Sequence, residues 1–176
     1  MFIRQETIKD YAEVYELIKE AFASAEHSDG NEQDLVAALR KSAAYIPELS
    51  LVAEINGELA GHILFTKMLV GADEILALAP LSVKPKYQRQ GIGSALIAEG
   101  HRIAKKLGYP YSLVLGSELY YPKHGYLPAE QFGITAPEGI PSANFMAAKL
   151  DENAQPLHGE VKYAEEFGIC PNKKCG

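Results

Sequence analysis

Gln88, Gly91 and Gly93 stand where an apolar run ends and an amphipathic stretch begins. Residues 75–83 are apolar apart from Ser82 and predict a buried strand. Ile92, Ala95, Leu96, Ile103 and Leu107 then recur at helical spacing, with Arg102, Lys105 and Lys106 on the other side. Strand, tight loop and helix therefore meet around two residues that lack a β-carbon. The first N–H groups of such a helix have no acceptor inside it, and the positive end of its dipole reinforces them. The junction thus suits a phosphate or a diphosphate. Spacing excludes the two common nucleotide loops. A Walker loop requires Gly-Lys-Ser/Thr where this chain has Gly93-Ser94, and a dinucleotide fingerprint requires glycine where Leu96 stands.

Several elements must position that junction. Residues 2–7 predict a short strand, and Asp10 opens a helix whose apolar positions Val14, Leu17, Ile18, Ala21 and Phe22 share one face. A polar loop over 24–31 precedes a second helix over 32–44, with Leu35, Val36 and Leu39 inward. Residues 51–55 and 59–65 flank Asn56-Gly57, a strong hairpin signal, and a second turn at Gly71-Ala72-Asp73 leads into the strand over 75–83. Gly108 and Pro110 end the amphipathic helix, and residues 112–116 form a compact apolar strand. Strand, crossover helix and strand place it parallel to 75–83. Further strands are expected within 143–150 and around 161–163. The order is α+β, with three antiparallel strands leading into the anion loop.

The 176 residues suit a single domain over 1–176, with a core to about 150 and a more polar tail over 151–176. Hydrophobic residues make up 47% and charged residues 23%, which argues against disorder. A net charge of -6 and the lack of a long basic run disfavour nucleic acid as a partner. No stretch is long enough to span a bilayer and the N-terminus lacks a signal-peptide core, so a cytoplasmic protein without a membrane partner is expected. Cys170 and Cys175, with no further cysteine, make a poor zinc site and are expected as free thiols, so no metal is assigned.

After the strand over 112–116 comes Leu119-Tyr120-Tyr121-Pro122-Lys123-His124-Gly125-Tyr126. This is similar to the aromatic-Tyr-x-Lys-x-Gly-aromatic segment of the GNAT superfamily of N-acetyltransferases, and Gln88-x-x-Gly91-x-Gly93 resembles that superfamily's pyrophosphate loop. The stretches Gly61-His62-Ile63-Leu64-Phe65 and 78–83 resemble a branch of predicted bacterial acetyltransferases. The resemblance implies a mixed, mostly antiparallel sheet with a central splayed parallel pair and flanking helices. It also implies acetyl-coenzyme A as cosubstrate. The diphosphate would rest on N–H groups of Gln88, Arg89, Gln90, Gly91, Ile92, Gly93 and Ser94, while Leu81, Ser82 and Val83 would offer main-chain groups to the pantetheine arm. An N–H near Leu81 would be the oxyanion donor. One departure is plain: many relatives carry an Asn and a helical turn after the fifth strand, whereas Leu115-Gly116-Ser117-Glu118 leads directly to Tyr120.

Acetyl transfer from a thioester needs a neutral amine, a stabilised oxyanion and a proton for the departing thiolate. Tyr121 aligns with the family tyrosine that supplies this proton, and Tyr120 is assigned to packing. For the base, His62 titrates near neutral pH and Glu118 lies beside the tyrosines, yet a core histidine and a helix-terminal carboxylate are the competing roles. Deprotonation through ordered water stays open. Glu26, His27 and Asp29 lie in the loop that borders the family's acceptor site. The expected function is an N-acetyltransferase acting on a small-molecule or peptide amine, with a homodimer open as its assembly. The alternative is a non-catalytic acyl-coenzyme A sensor or scaffold of the same fold.

Overall fold

The computed structural model describes residues 1–26 and 28–168. His27, Cys170 and Cys175 lie outside the described residues. The strands are β1 (Phe2–Gln5), β2 (Tyr45–Ile55), β3 (Glu58–Val70), β4 (Asp73–Val83), β5 (Tyr111–Leu115), β6 (Tyr126–Pro128), β7 (Phe145–Lys149) and β8 (Val161–Lys162). Among the described residues three α-helices, α1 (Tyr11–Phe22), α2 (Glu32–Leu39) and α3 (Ile92–Lys106), flank them. The strands form one sheet in the order β1-β2-β3-β4-β5-β7-β6, with β8 pairing β3. Among the described residues only β4 and β5 pair in parallel; the other pairs are antiparallel.

The chain alternates the two periods from which the layers follow. Ile63 and Phe65 of β3, Leu76 and Leu78 of β4, and Val114 of β5 share one core with Ile92, Leu96 and Ile97 of α3. Successive strand residues face opposite sides. Val52 and Leu64 accordingly point the other way, against Val14, Leu17 and Ile18 of α1 and Val36 and Leu39 of α2. At the tip of the β2–β3 hairpin, Asn56 and Gly57 both have positive φ, 51° and 81°, as a primed two-residue turn requires.

Three expectations need correction. The second helix ends at Leu39 rather than Ala44, because the Ser42 hydroxyl donates to the Leu39 carbonyl at 2.9 Å and takes the Ala44 N–H at 3.2 Å. A serine that bonds the backbone this way offers it an alternative to the helix. The strand expected to start near Leu51 begins at Tyr45, with an irregular register between Tyr45 and Ser50. Leu107 follows the last helical residue and is 45% exposed, and the buried face of α3 is completed instead by Ile97 and Ala104.

Two features of β4 prepare the site. Ile63 faces Leu81 while Phe65 faces Leu78, so β4 carries an extra residue there and bulges. On its other side β4 meets β5 only at Leu76–Ser112 and Ala77–Leu113. Beyond those rungs the parallel strands part, and among the described residues no strand pairs with that edge of β4 over residues 78–83.

Candidate active site

The parted strands open toward the start of α3. Gly91 is the residue before that helix, with φ of 82° and no side chain capping the turn. A β-carbon there would meet nothing within 4 Å, so the space in front of it is clear. Among the described residues, the N–H groups of residues 89–94 find no protein acceptor, and the first bond into the helix runs from Ala95 to the Gly91 carbonyl at 3.0 Å. Six adjacent donors and a helix dipole are thus left without a protein acceptor, with clear space at Gly91, the arrangement that holds an anion. Side chains shape the loop instead of filling it. The Gln88 amide donates to the Val83 carbonyl at 3.1 Å, tying the loop to the end of β4, and the Gln90 amide donates to the Lys86 carbonyl at 3.0 Å.

Charge around the loop is sorted by Glu58. Its carboxylate takes Lys84 at 2.9 Å, Lys86 at 2.8 Å and the Tyr87 hydroxyl at 2.9 Å, and these contacts hold it down to about 2. Arg89 is exposed, has a positive φ of 61° and makes no ion pair among the described residues. It is the loop's remaining cation.

The two tyrosines reach this region by different routes. Both of their N–H groups donate to the Ser117 carbonyl at 3.1 Å, so one tight turn carries the pair. The Tyr120 hydroxyl lies over Gly93, where a β-carbon would come 2.5 Å from it, and the Leu81 side chain approaches the same glycine. Tyr120, expected only to pack, therefore also brings a hydroxyl to the helix start, where burial raises its pKa and a hydrogen bond with Ser94 opposes the rise. The Tyr121 ring rests on Gly116 and meets Tyr120 and Tyr126 edge to face, with centroids 5.1 and 5.5 Å apart. Burial, and then neighbouring Tyr120, pushes its phenol well above the usual range, so it keeps its proton.

The structure brings together Leu81, Gly93, Ser94, Tyr120 and Tyr121. It does not bring His62 to them. His62 follows Gly61 and precedes Ile63, so it faces the α1 and α2 side, fully buried, and pairs in register with Ser82. Its Nε2 lies 3.2 Å from the Ser50 hydroxyl and 3.5 Å from Glu6, which is bound in turn by Arg40 through two bonds of 2.9 and 2.8 Å. Burial, with the Arg40 charge, lowers the histidine to about 4 against the pull of Glu6. Ser82 likewise turns its buried hydroxyl away from the cleft and can offer only main chain there. Glu118 accepts a 2.6 Å bond from the Asn144 amide. Asn144 and Glu58 were not flagged by sequence, and neither carries a local signal: each acts on residues far away in the chain.

Among the described residues no cluster of His, Cys, Asp or Glu is arranged to hold a metal, and no helix is long and apolar enough to cross a membrane. Residues 11–126 match the profile of the acetyltransferase (GNAT) family. The chain is 37% identical over 142 residues to the uncharacterized N-acetyltransferase YjhQ of Escherichia coli, covering 76% of this chain and 78% of that protein. A crystal structure of a GNAT family acetyltransferase from Brucella melitensis in complex with acetyl-CoA is 32% identical, with a TM-score of 0.78 over 94% of this chain and 97% of that one. The Escherichia coli YhbS structure in complex with CoA is 26% identical, with a TM-score of 0.85 over 96% of this chain and 92% of that one.

Proposed function

The chain belongs to the GNAT acetyltransferase family, and on that premise we propose that it moves an acetyl group from acetyl-coenzyme A to a primary amine by direct attack. The observation that carries this reading is the run of unpartnered N–H groups at residues 89–94, opening beside the unpaired edge of β4. That donor set fits a diphosphate, and acetyl-coenzyme A supplies an activated acetyl thioester next to it.

Each group of the chain then has a defined task. Arg89, Gln90, Gly91, Ile92, Gly93 and Ser94 grip the diphosphate through main-chain N–H groups, and Arg89 adds charge; the Gln88 N–H, expected to join them, is donated instead to the Pro85 carbonyl at 3.2 Å, and Gln88 shapes the loop through its side chain. Leu81, Ser82 and Val83 lend main-chain groups to the pantetheine arm, and an N–H at Leu81 stabilises the carbonyl oxygen as it gains charge. As the carbon–nitrogen bond forms and the carbon–sulfur bond breaks, Tyr121 gives its proton to the sulfur and recovers one from solvent. A phenol held protonated is suited to this. The amine nitrogen loses its extra proton through water, since His62 is enclosed on the opposite face and Glu118 is engaged by Asn144.

That engagement of both candidate bases favours one rival, a carrier-binding module without turnover. Titration calorimetry with acetyl-coenzyme A followed by thiol release with a panel of small amines and peptide N-termini separates them. Binding with turnover supports transfer, binding without turnover on any amine supports the module, and no heat of binding sinks both.

A further inference from the structure

The turn between β5 and the two tyrosines is Gly116-Ser117-Glu118, and it carries no Asn of its own. Asn144, which immediately precedes β7, reaches this turn from across the sheet. Its main-chain carbonyl accepts the Gly116 N–H at 2.9 Å. Its side-chain amide donates one hydrogen to the Gly116 carbonyl at 3.1 Å and the other to Glu118 Oε2 at 2.6 Å. One residue at the foot of β7 therefore holds Gly116 by both its polar groups and binds the carboxylate two residues on. With an ionised acceptor, the Glu118 bond belongs to the stronger class.

Gly116 in turn locates the tyrosine. A β-carbon on Gly116 would fall 2.3 Å from the Tyr121 ring, so the ring sits directly on the glycine backbone. Ser117 adds the next link, its carbonyl taking the N–H groups of Tyr120 and Tyr121 and its hydroxyl taking that of Leu119 at 3.2 Å. We infer that Asn144, latched to Glu118, is a positioning residue that sets the Tyr121 phenol against the sulfur of the bound thioester. This inference rests on the reading of Tyr121 as the proton donor. It assigns Glu118 to the latch instead of to the substrate amine.

Misplacing a reacting group by about an ångström commonly lowers a rate by one to two orders of magnitude. Asn144→Ala is accordingly expected to lower kcat about tenfold with the KM for acetyl-coenzyme A unchanged. Glu118→Gln, which keeps an acceptor oxygen, should lose no more than about threefold. The decisive measurement is a double-mutant cycle: once Tyr121→Phe has removed the phenol, adding Asn144→Ala should change kcat no further. Multiplicative losses in the double variant overturn the latch, whereas a wild-type rate in Tyr121→Phe alone overturns the proton-donor reading. A readout independent of turnover is the 19F spectrum of 3-fluorotyrosine placed at position 121. Its resonance should shift or broaden in Asn144→Ala at unchanged thermal stability. An unmoved resonance overturns the inference, and a fall in stability that moves every core signal assigns Asn144 to the fold alone.

Discussion

Around Glu6, on the face of the sheet covered by α1 and α2, the charged groups are matched: Arg40 binds it twice, Ser50 and Tyr45 donate to it, and His62 stands 3.5 Å away. At the start of α3, on the other face, the backbone donors of residues 89–94 have no acceptor among the described residues, and the space at Gly91 is clear. Both regions are polar, yet they serve opposite ends. A buried carboxylate tolerates only complete pairing, so that cluster is closed to substrate and its worth is structural. Partial charges fixed in backbone can remain unpaired at a surface because water satisfies them until an anion displaces it. The contrast explains why a titratable histidine in a strand is a poorer catalytic candidate here than a loop with few ionisable side chains.

Breaking the closed cluster should give the largest effect. Arg40→Met strands Glu6 without its principal partner, and loss of one member of a buried pair costs roughly 3–5 kcal/mol. Chemical denaturation should show that loss, while the folded fraction keeps its affinity for acetyl-coenzyme A. Acid should erode the same cluster. His62 has a folded pKa of about 4 against 6.5 for the free side chain, so the unfolded chain binds a proton that the native state refuses. Its contribution is therefore complete above about pH 6.5 and is lost as the pH falls toward 4, roughly 3 kcal/mol in all. His101, also lowered to about 4 by burial and by the charge of Lys105, acts in the same window. His62→Gln should flatten the slope of stability against pH between those values. A slope unchanged by that variant places the acid sensitivity elsewhere.

The open region should respond in activity instead. Tyr121→Phe removes one proton donor and keeps the ring on Gly116, so kcat should fall about a hundredfold with stability changed by less than about 1 kcal/mol. Steady-state rates beside a thermal melt test both halves. A variant as unstable as Arg40→Met would erase the distinction between the two regions.

Where chemistry is written locally, the sequence was legible. Asn56-Gly57 announces its hairpin, Gly91 a backbone that an anion can approach, and the 3.6-residue spacing after Ile92 the helix that follows. The parallel pairing of β4 with β5 follows from a crossover helix between two apolar runs. Contacts between residues distant in the chain were not legible. Arg40 looks like a surface helix residue until Glu6 approaches from the end of β1, and the helix stops short of its apolar pattern because its ending depends on a single serine hydroxyl. Asn144 precedes its strand as an ordinary turn residue would, and only the register of β5 on β7 brings it to Gly116. Tyr120 could be read as packing because a sequence does not say where its phenol ends.

The smallest expected effect separates two glycines that look alike in the motif. Gly91 has positive φ and open space around it, so Gly91→Ala is strained by backbone alone, by about 1 kcal/mol. Gly93 lies within α3 with ordinary helical geometry, where alanine is the better helix former, and its obstacle is the Tyr120 hydroxyl at 2.5 Å. With phenylalanine at 120 the next neighbours of a β-carbon are Leu81 Cδ2 at 3.5 Å and the ring Cζ at 3.6 Å, both ordinary contacts. Gly93→Ala should therefore push the phenol off the helix start and weaken acetyl-coenzyme A binding about threefold to tenfold, roughly 1 kcal/mol. Adding Tyr120→Phe should restore the affinity, whereas the same second change should leave Gly91→Ala unrelieved. Calorimetry on the four variants reads both couplings. No rescue at Gly93 would mean that the two positions are small for one shared reason, the approach of the bound anion, and that the tyrosine above them has no part in it, whereas rescue at Gly91 would mean that the hydroxyl constrains both.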